Sequence, residues 1–273
     1  MNRKVWIIGP VAIDRVAYVD QLPTQGSFTR PSRIVERIGG SSGNVALALA
    51  ETGVETGFIS YIGDDENGEK IQKRFAESQI KDLHLQQVVG ESNCALVMVD
   101  SSGDRTIVAL TESHLAEISF EGIQFSQGDI VVFSLWRPFF KDHLIQVQQL
   151  GCLTVVGLEA LADAQVPGAD FAIGSEAELG GANPLEHLER FPTIVVTRGA
   201  AGSDQYQSST FTHQEAVEGE VVDTTGAGDS FLAGYLTTLA SGVEDLGSAL
   251  RLGALWAAAS VALEGSEPAK PPL

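Results

Sequence analysis

The 273-residue sequence predicts an α/β fold built on a mainly parallel central sheet. From about residue 129 onward, short apolar runs alternate with helical stretches, which is the pattern of successive βαβ units. A further apolar run at residues 5–9 ends in Gly-Pro and is typical of a central strand. Glycine-rich turns follow several such runs, so ligands are expected at the carboxyl ends of the strands.

In the first half of the chain, two roughly alternating segments and a later hairpin are suited to a small second sheet outside the main one. The hairpin turns at Ser101-Ser102-Gly103-Asp104. The predicted elements of this half are strands at 5–9, 13–20, 28–38, 58–65, 94–99 and 106–110 and helices at 45–51 and 67–78.

The second half carries the strand–helix alternation and ends in a long helix. Its predicted strands are 130–135, 153–157, 171–173, 193–197 and 216–222, and its predicted helices are 139–150, 184–189 and 246–263. Apolar residues also recur at helical spacing over 231–239, in a helix whose first turn includes Asp229.

Composition limits the partners and the compartment. With 44% hydrophobic residues, the chain can bury a substantial core, and we take residues 1–273 as one domain. A net charge of −19 argues against nucleic acid or an anionic membrane surface as partner, so any phosphate site must be local. Cys94 and Cys152 have neither disulfide-framework nor metal spacing, which favours a reducing compartment. The N-terminus enters a strand rather than a signal peptide and no apolar helix is long enough to span a bilayer, so a cytoplasmic location is expected.

One stretch carries most of the chemistry: Asp223-Thr224-Thr225-Gly226-Ala227-Gly228-Asp229. Its glycines lie where the predicted strand 216–222 gives way to a helix, so backbone N–H groups and the positive helix end can meet an anion there. Asp229 falls in the first helical turn, where it either acts as a base or merely caps the helix. The helix dipole is expected to keep Asp229 ionised and therefore a weak base.

Residues 223–231 resemble the C-terminal motif of the ribokinase/PfkB family of small-molecule kinases. The resemblance implies a ribokinase-like three-layer α/β/α fold with a small β-sheet lid, whose strands would come from about 14–38 and 94–110. It also implies that Gly226, Ala227 and Gly228 form an anion hole for the transferring phosphoryl group and that Asp229 accepts the proton of the attacking hydroxyl.

The Gly39-Gly40 turn, with Asn44 after it and Asp14 before it, resembles the other half of the same family pattern. These four residues would then bind sugar hydroxyls, each of which needs a partner when it is buried. Residues 103–108 resemble the corresponding stretch of fructose- and keto-sugar-specific branches. Arg105 is therefore a candidate substrate ligand, although an ordinary turn with a surface arginine explains the same residues.

The family resemblance also assigns the nucleotide and the metal. In the turn at 197–202, Thr197, Arg198, Gly199 and Gly202 would face ATP, although a hairpin turn explains these residues equally well. Glu176 would organise Mg²⁺ through water, although Ile173 stands where the family has asparagine.

The resemblance further implies that a monovalent cation such as K⁺ binds between the motif and the loop at 264–269, where Ala269 stands in place of a residue that can offer a hydroxyl in relatives. Alternatively, Asp223 braces this loop by hydrogen bonds. The matching cation ligands are Asp223, Thr225, Ser260, Leu263 and Gly265.

The sequence thus predicts ATP-dependent phosphorylation of a sugar hydroxyl, on a ketose or an acidic sugar. A nucleoside kinase of the same family and a catalytically silent sensor of sugar or nucleotide are the alternatives. A homodimer through the lid is expected by analogy. The sequence lacks a Walker A string, a complete dinucleotide fingerprint and zinc-ligand spacing, which argues against a P-loop kinase, a dehydrogenase and a zinc enzyme.

Overall fold

The computed structural model describes residues 3–101, 103, 105–243, 245–265 and 268–272. Its strands are β1 Val5–Ile8, β2 Ala12–Tyr18, β3 Arg33–Gly39, β4 Thr56–Gly63, β5 Asp82–Val88, β6 Cys94–Val99, β7 Arg105–Ala109, β8 Ile130–Phe133, β9 Leu153–Val156, β10 Phe171–Ser175, β11 Thr193–Thr197, β12 Ser203–Gln207 and β13 Phe211–Gln214. Its α-helices are α1 Ser41–Glu51, α2 Glu66–Ala76, α3 Lys141–Gln149, α4 Glu176–Leu179, α5 Ala227–Ala240 and α6 Leu246–Val261.

The central sheet has nine strands in the order β13-β12-β11-β10-β9-β8-β1-β4-β5. All neighbouring pairs from β11 to β5 are parallel, and β12 pairs antiparallel with both β11 and β13. The carboxyl ends of β1, β8, β9 and β10 therefore meet along one edge, where the polar residues of the site collect.

Alternate residues of the central strands enter two separate cores. Val5 and Ile7 of β1 pack with the apolar faces of α1, α2, α5 and α6. Trp6 and Ile8 point the other way and pack with α3 and several 3₁₀ segments. Helical layers therefore cover both faces of the sheet, and the predicted three-layer α/β/α class is confirmed.

A second sheet has the order β3-β2-β6-β7. Asp14 on β2 pairs directly with Arg37 on β3, and β7 pairs antiparallel with β6. Since paired residues share a face of a sheet, Asp14 and Arg37 lie on the same side. Ser102 and Asp104 of the predicted turn lie outside the described residues.

Some elements differ from the prediction. The segment 216–222 is not a strand; it is an extended connection in which the amides of Val222 and Asp223 both donate to the Val261 carbonyl. In the predicted strand 28–38, only Arg33–Gly39 pairs, and 184–189 is a 3₁₀ turn at Pro184–His187.

Strands β5 and β13 were not predicted because both are edge strands with largely polar sequences, so they carry no apolar signal. Within the described ranges, no helix is long and apolar enough to cross a membrane.

Candidate active site

Two helix N-termini face the carboxyl edge of the sheet. Helix α1 starts after Gly40 and α5 starts after Gly226, both with positive φ angles, of 84° and 80°. Neither start has a side-chain cap. The Gly43 amide of α1 donates to the Pro10 carbonyl over 3.3 Å and the Ala227 amide of α5 to the Thr224 carbonyl over 3.4 Å, so an anion would meet the other first-turn N–H groups. A side chain at Gly40 would lie 2.8 Å from the Val11 Cα, so this position requires glycine. A Cβ at Gly228 would meet nothing within 4 Å, which leaves open space in front of the α5 amides.

A hydrogen bond joins the two halves of the predicted site. Asn44 Nδ2, in α1, donates to Asp229 Oδ2, in α5, over 2.8 Å. The amide oxygen Oδ1 of Asn44 is buried without a hydrogen-bond partner among the described residues. Asn44 can therefore orient the carboxylate through its nitrogen while its oxygen accepts a bond from a ligand hydroxyl.

The carboxyl group of Asp229 is harder to ionise than the sequence suggested. Burial raises its pKa to about 6. Hydrogen bonds from Asn44 and Ser41 and the charge of Arg105 lower the pKa, whereas repulsion from Glu178 raises it. Asp229 is therefore less acidic than was expected at a helix start, because desolvation outweighs the hydrogen bonds and the positive charge that favour its ionised form. Asp229 is still mostly ionised at pH 7, and with this pKa it is a stronger base.

The shifted pKa predicts a pH profile. If ionised Asp229 is the base, kcat/KM should fall below pH 6 by about tenfold per pH unit. Asn44→Ala removes a bond to the ionised form, so it should raise this pKa and move the acidic limb to higher pH. The measurement is kcat/KM for the sugar between pH 4.5 and 8 in about five steps. An acidic limb near the ordinary value of 3.8 would show that Asp229 does not control the rate.

The small sheet presents Asp14 and two arginines to the motif. Burial raises the pKa of Asp14, and the charge of Arg37 opposes this shift. A Cβ at Gly39 would lie 2.0 Å from Asp14 Oδ2, so Gly39 leaves the space that this carboxylate fills. Arg105 Nη1 lies 3.5 Å from both Thr224 Oγ1 and Thr225 Oγ1, next to the α5 start. The structure therefore brings Arg105 to the start of α5 near Asp229, and Asp14 to Gly39 and Arg37.

In the acidic segment after β10, Glu176 and Glu178 have different neighbours. Glu176 is exposed and forms an ion pair with Arg198, whose Nε also donates to Asp204 Oδ2 over 2.7 Å. Arg198 thus forms ion pairs with two carboxylates, those of Glu176 and Asp204. Glu178, not Glu176, lies close enough to Asp229 to affect its pKa.

Glu178 and Glu159 together could hold a divalent cation. Glu178 Oε2 accepts bonds from the amide and hydroxyl of Ser175, at 2.5 and 3.0 Å. Burial raises the pKa of Glu159, and repulsion from Glu178 adds to the rise. Glu159 Oε2 is buried with no hydrogen-bond partner in the described part of the chain. Glu159 Oε1 also forms an ion pair with Arg137 Nη1 at 3.8 Å, and no group of three or more metal-ligating side chains occurs among the described residues. One or two carboxylates are enough for Mg²⁺ when substrate phosphates complete its ligands, so Glu178 and Glu159 fit the metal that the resemblance implies.

The predicted nucleotide turn is a tight hairpin between β11 and β12. The Arg198 amide donates to the Gly202 carbonyl over 2.8 Å, and Gly202 has a φ of 85°. A Cβ at Gly202 would lie 2.1 Å from the Gln214 carbonyl oxygen. Thr197 ends β11, and its hydroxyl donates to the Gly174 carbonyl over 3.3 Å. The observed hairpin is compatible with nucleotide binding at this turn and does not require it.

The predicted monovalent-cation residues are already linked to one another. Asp223 Oδ1 accepts from the Thr225 amide at 2.9 Å, and Oδ2 accepts from the Gly265 amide at 3.0 Å. Ser260 Oγ is bonded by the Ser230 hydroxyl at 2.8 Å and by the Ala269 amide at 2.9 Å. Ser266 and Glu267 of this loop lie outside the described residues. These bonds support the alternative in which Asp223 braces the loop.

Three site residues were missed from the sequence: Glu178, Glu159 and Arg37. The spacing Ser175-x-x-Glu178 is a capping-box signature and would have placed Glu178 at the start of α4. Glu159 and Arg37 have no comparable local signal, because their neighbours come from distant parts of the sequence: Glu178 for Glu159, and Asp14, Asp223 and Gly265 for Arg37.

Comparison with known proteins supports the same assignment. The family described as pfkB family carbohydrate kinase matches residues 2–272. Fructoselysine 6-kinase of Shigella flexneri is 28% identical over 240 residues, which cover 84% of this chain and 91% of that protein. Fructokinase of Klebsiella pneumoniae is 28% identical over 288 residues, which cover 90% and 87%.

Two solved structures share the fold. The nucleoside kinase of Burkholderia thailandensis in complex with inosine has a TM-score of 0.82 at 17% identity, over 98% of this chain and 94% of that chain. Phosphofructokinase-2 of Escherichia coli in complex with potassium has a TM-score of 0.78 at 20% identity, over 98% and 95%. At these identities the likeness concerns the fold alone.

Proposed function

This chain belongs to the pfkB family of carbohydrate kinases and is a phosphotransferase with an alcohol group as acceptor. On that premise we propose that it transfers the γ-phosphoryl group of ATP to one hydroxyl of a ketose or an acidic sugar. The observation that carries the proposal is the bond between Asn44 and Asp229. It joins the sugar half of the family pattern to the phosphate half at the meeting point of two uncapped helix starts.

In the proposed reaction, Asp229 accepts the proton of the sugar hydroxyl. The hydroxyl oxygen bonds to the γ-phosphorus while the bond from that phosphorus to the leaving oxygen of ADP breaks. Amides at Gly226, Ala227 and Gly228 would stabilise the charge on the transferring group, since phosphoryl transfer depends mainly on positioning and charge stabilisation. A pKa of about 6 leaves Asp229 ionised at neutral pH and basic enough to take the proton as it is released.

The sugar would lie between the small sheet and α1. Asp14, Asn44 and the backbone at Gly39 and Gly40 would pair with its hydroxyls, and the free Asn44 Oδ1 needs such a donor. Arg105 offers a positive charge to a carboxylate or to a hydroxyl-rich acceptor. The named relatives act on fructose and fructoselysine, which favours a ketose-type acceptor.

ATP would lie against the hairpin at Thr197, Gly199 and Gly202, with its γ-phosphate directed to the start of α5. Glu178 and Glu159 would hold a divalent cation, which when bound neutralises charge on the phosphates. In this proposal Arg198 supports the hairpin through Asp204 and Glu176 rather than by contact with phosphate.

The assignment of Glu178 over Glu176 makes a direct prediction. Glu178→Gln should raise the Mg²⁺ concentration for half-maximal rate by about 10- to 100-fold, since it removes a carboxylate from the metal. Glu176→Gln, two residues away and exposed, is the matched variant and should change it by less than about threefold. A Mg²⁺ titration of ADP release measures both. A larger effect of Glu176→Gln than of Glu178→Gln would assign Mg²⁺ binding to Glu176 instead.

The test of the proposed function is ADP release from ATP–Mg²⁺ with ketoses, aldoses, sugar phosphates, sugar acids and nucleosides, with Asp229→Asn as the control. Turnover on a ketose or sugar acid, lost in the variant, supports the proposal. Turnover on nucleosides alone would favour a nucleoside kinase, whose fold the solved complex with inosine shares. If no acceptor gave ADP release while the protein still bound ATP, a catalytically silent sensor would be favoured.

By family analogy, we also propose a homodimer through the small sheet. Ile34 and Val108 are 63% and 44% exposed on its face opposite Asp14. Light scattering after gel filtration measures the mass, and a monomer at all concentrations would reject the dimer.

A further inference from the structure

The predicted monovalent-cation site already contains a charged side chain. Arg37 extends from β3 toward the motif, and its Nη2 lies 3.9 Å from Asp223 Oδ2. A Cβ at Gly265 would lie 2.9 Å from Arg37 Nη1, so the guanidinium also adjoins the C-terminal loop. Arg37 therefore stands between the two loops that were expected to bind the ion.

Two of the five predicted cation ligands, Asp223 and Ser260, already have their oxygen atoms engaged by other described residues. Both Asp223 oxygens accept backbone amides, and Ser260 Oγ is bonded twice within the protein. The Ser260 carbonyl accepts the Leu263 amide at 3.0 Å. An ion such as K⁺ needs several oxygen ligands at once, and a second positive charge beside the guanidinium would be repelled.

The surroundings of Arg37 indicate a role in charge rather than in hydrogen bonding. Its Nε and Nη2 are buried and have no hydrogen-bond partner among the described residues. The positive charge of Arg37 nevertheless acts on two carboxylates. It opposes the rise that burial causes in the pKa of Asp14. The pKa of Glu264 is lowered mainly by Tyr18 and Arg33, and Arg37 adds to this effect. With Asp223, three carboxylates thus surround one guanidinium, which is 16% exposed.

We propose that the Arg37 guanidinium takes the place of a monovalent cation in this chain. It supplies the fixed positive charge next to Asp223 and holds the motif loop, the C-terminal loop and the small sheet together. Arg37 is a positioning residue, since it acts on the anion hole through Asp223 and Thr225. The enzyme should accordingly work without K⁺.

The activity test rests on the proposed function and uses the acceptor found in the panel. At a constant ionic strength of about 0.1 M, the rate of the unmodified protein should differ by less than about twofold between choline chloride and KCl. Arg37→Met should lose at least about tenfold in choline chloride, because buried Asp223 is left without a counter-charge. KCl should restore part of that loss, since the ion can now enter. Arg37→Lys keeps the positive charge, so its rate should be the same in KCl and in choline chloride.

A second test needs no substrate and separates failure of this inference from failure of the proposed function. Thermal unfolding of the unmodified protein should be the same in choline chloride and KCl. Arg37→Met should gain about 2 °C or more in KCl, because an ion that binds only the folded state stabilises it. Arg15→Met, on the other face of the same sheet and exposed, is the matched control and should show neither effect.

Three results would overturn the inference. They are strong K⁺ activation of the unmodified protein, full activity of Arg37→Met in choline chloride, and a loss in Arg37→Met that no monovalent cation restores. If Arg37→Met does not fold, the K⁺ response of the unmodified protein and of Arg37→Lys still decides the question.

Discussion

Asp229→Asn is expected to lower kcat by about 10²- to 10⁴-fold, because the neutral amide cannot accept the proton of the attacking hydroxyl. The substitution preserves shape and one oxygen, so the bond from Asn44 Nδ2 can persist. Binding of ATP, measured by calorimetry, should change by less than about threefold, since Asp229 is assigned to the acceptor rather than to the nucleotide.

A stability measurement distinguishes a catalytic Asp229 from a structural cap. Burial raises the folded-state pKa from 3.8 to about 6, so the folded protein is penalised as the pH rises through this value. The asparagine side chain does not ionise, so the variant has no buried charge that destabilises the folded state at high pH. The variant should therefore be at least as stable as the parent at pH 7.5, with no advantage below about pH 4. Lower stability at pH 7.5, together with lost ATP binding, would identify Asp229 as a cap.

Asp14→Ala is expected to raise the KM for the sugar by about 10- to 100-fold, because a hydrogen bond to a charged group contributes about 1.5–3 kcal/mol. The KM for ATP should change little, since Asp14 lies in the small sheet, paired with Arg37, whereas the nucleotide hairpin belongs to the central sheet. Initial rates with each substrate varied in turn measure both constants. Unchanged sugar kinetics would remove Asp14 from the site.

Gly39→Ala provides an independent check on the same carboxylate. The added methyl would lie 2.0 Å from Asp14 Oδ2 and must displace it, so the sugar KM should rise here as well. In the double variant the two effects should not add, because both act through one side chain. Arg15→Ala, next to Asp14 but on the other face, should leave the sugar KM unchanged.

Local sequence patterns were sufficient for the start of α5 and for most central strands. A glycine with a positive φ followed by a helical apolar pattern depends on a few neighbouring residues, and this placed Gly226 and Asp229 correctly at the helix start. The apolar run at residues 5–9 likewise placed β1, whose alternate residues enter the two cores on either face of the sheet. Edge strands β5 and β13 escaped notice because their polar sequences carry no such signal.

The sequence by itself therefore determined the α/β class, the turn chemistry at Gly40 and Gly226, and the family resemblance. Only the tertiary structure decided that Asn44 bonds to Asp229 across 185 residues, that burial raises the pKa of Asp229, and that Glu178 rather than Glu176 lies near it. It also placed Arg37 beside Asp223. The reason is physical: propensity and spacing act over a few residues, whereas desolvation and charge interactions depend on whatever the fold brings within a few ångströms.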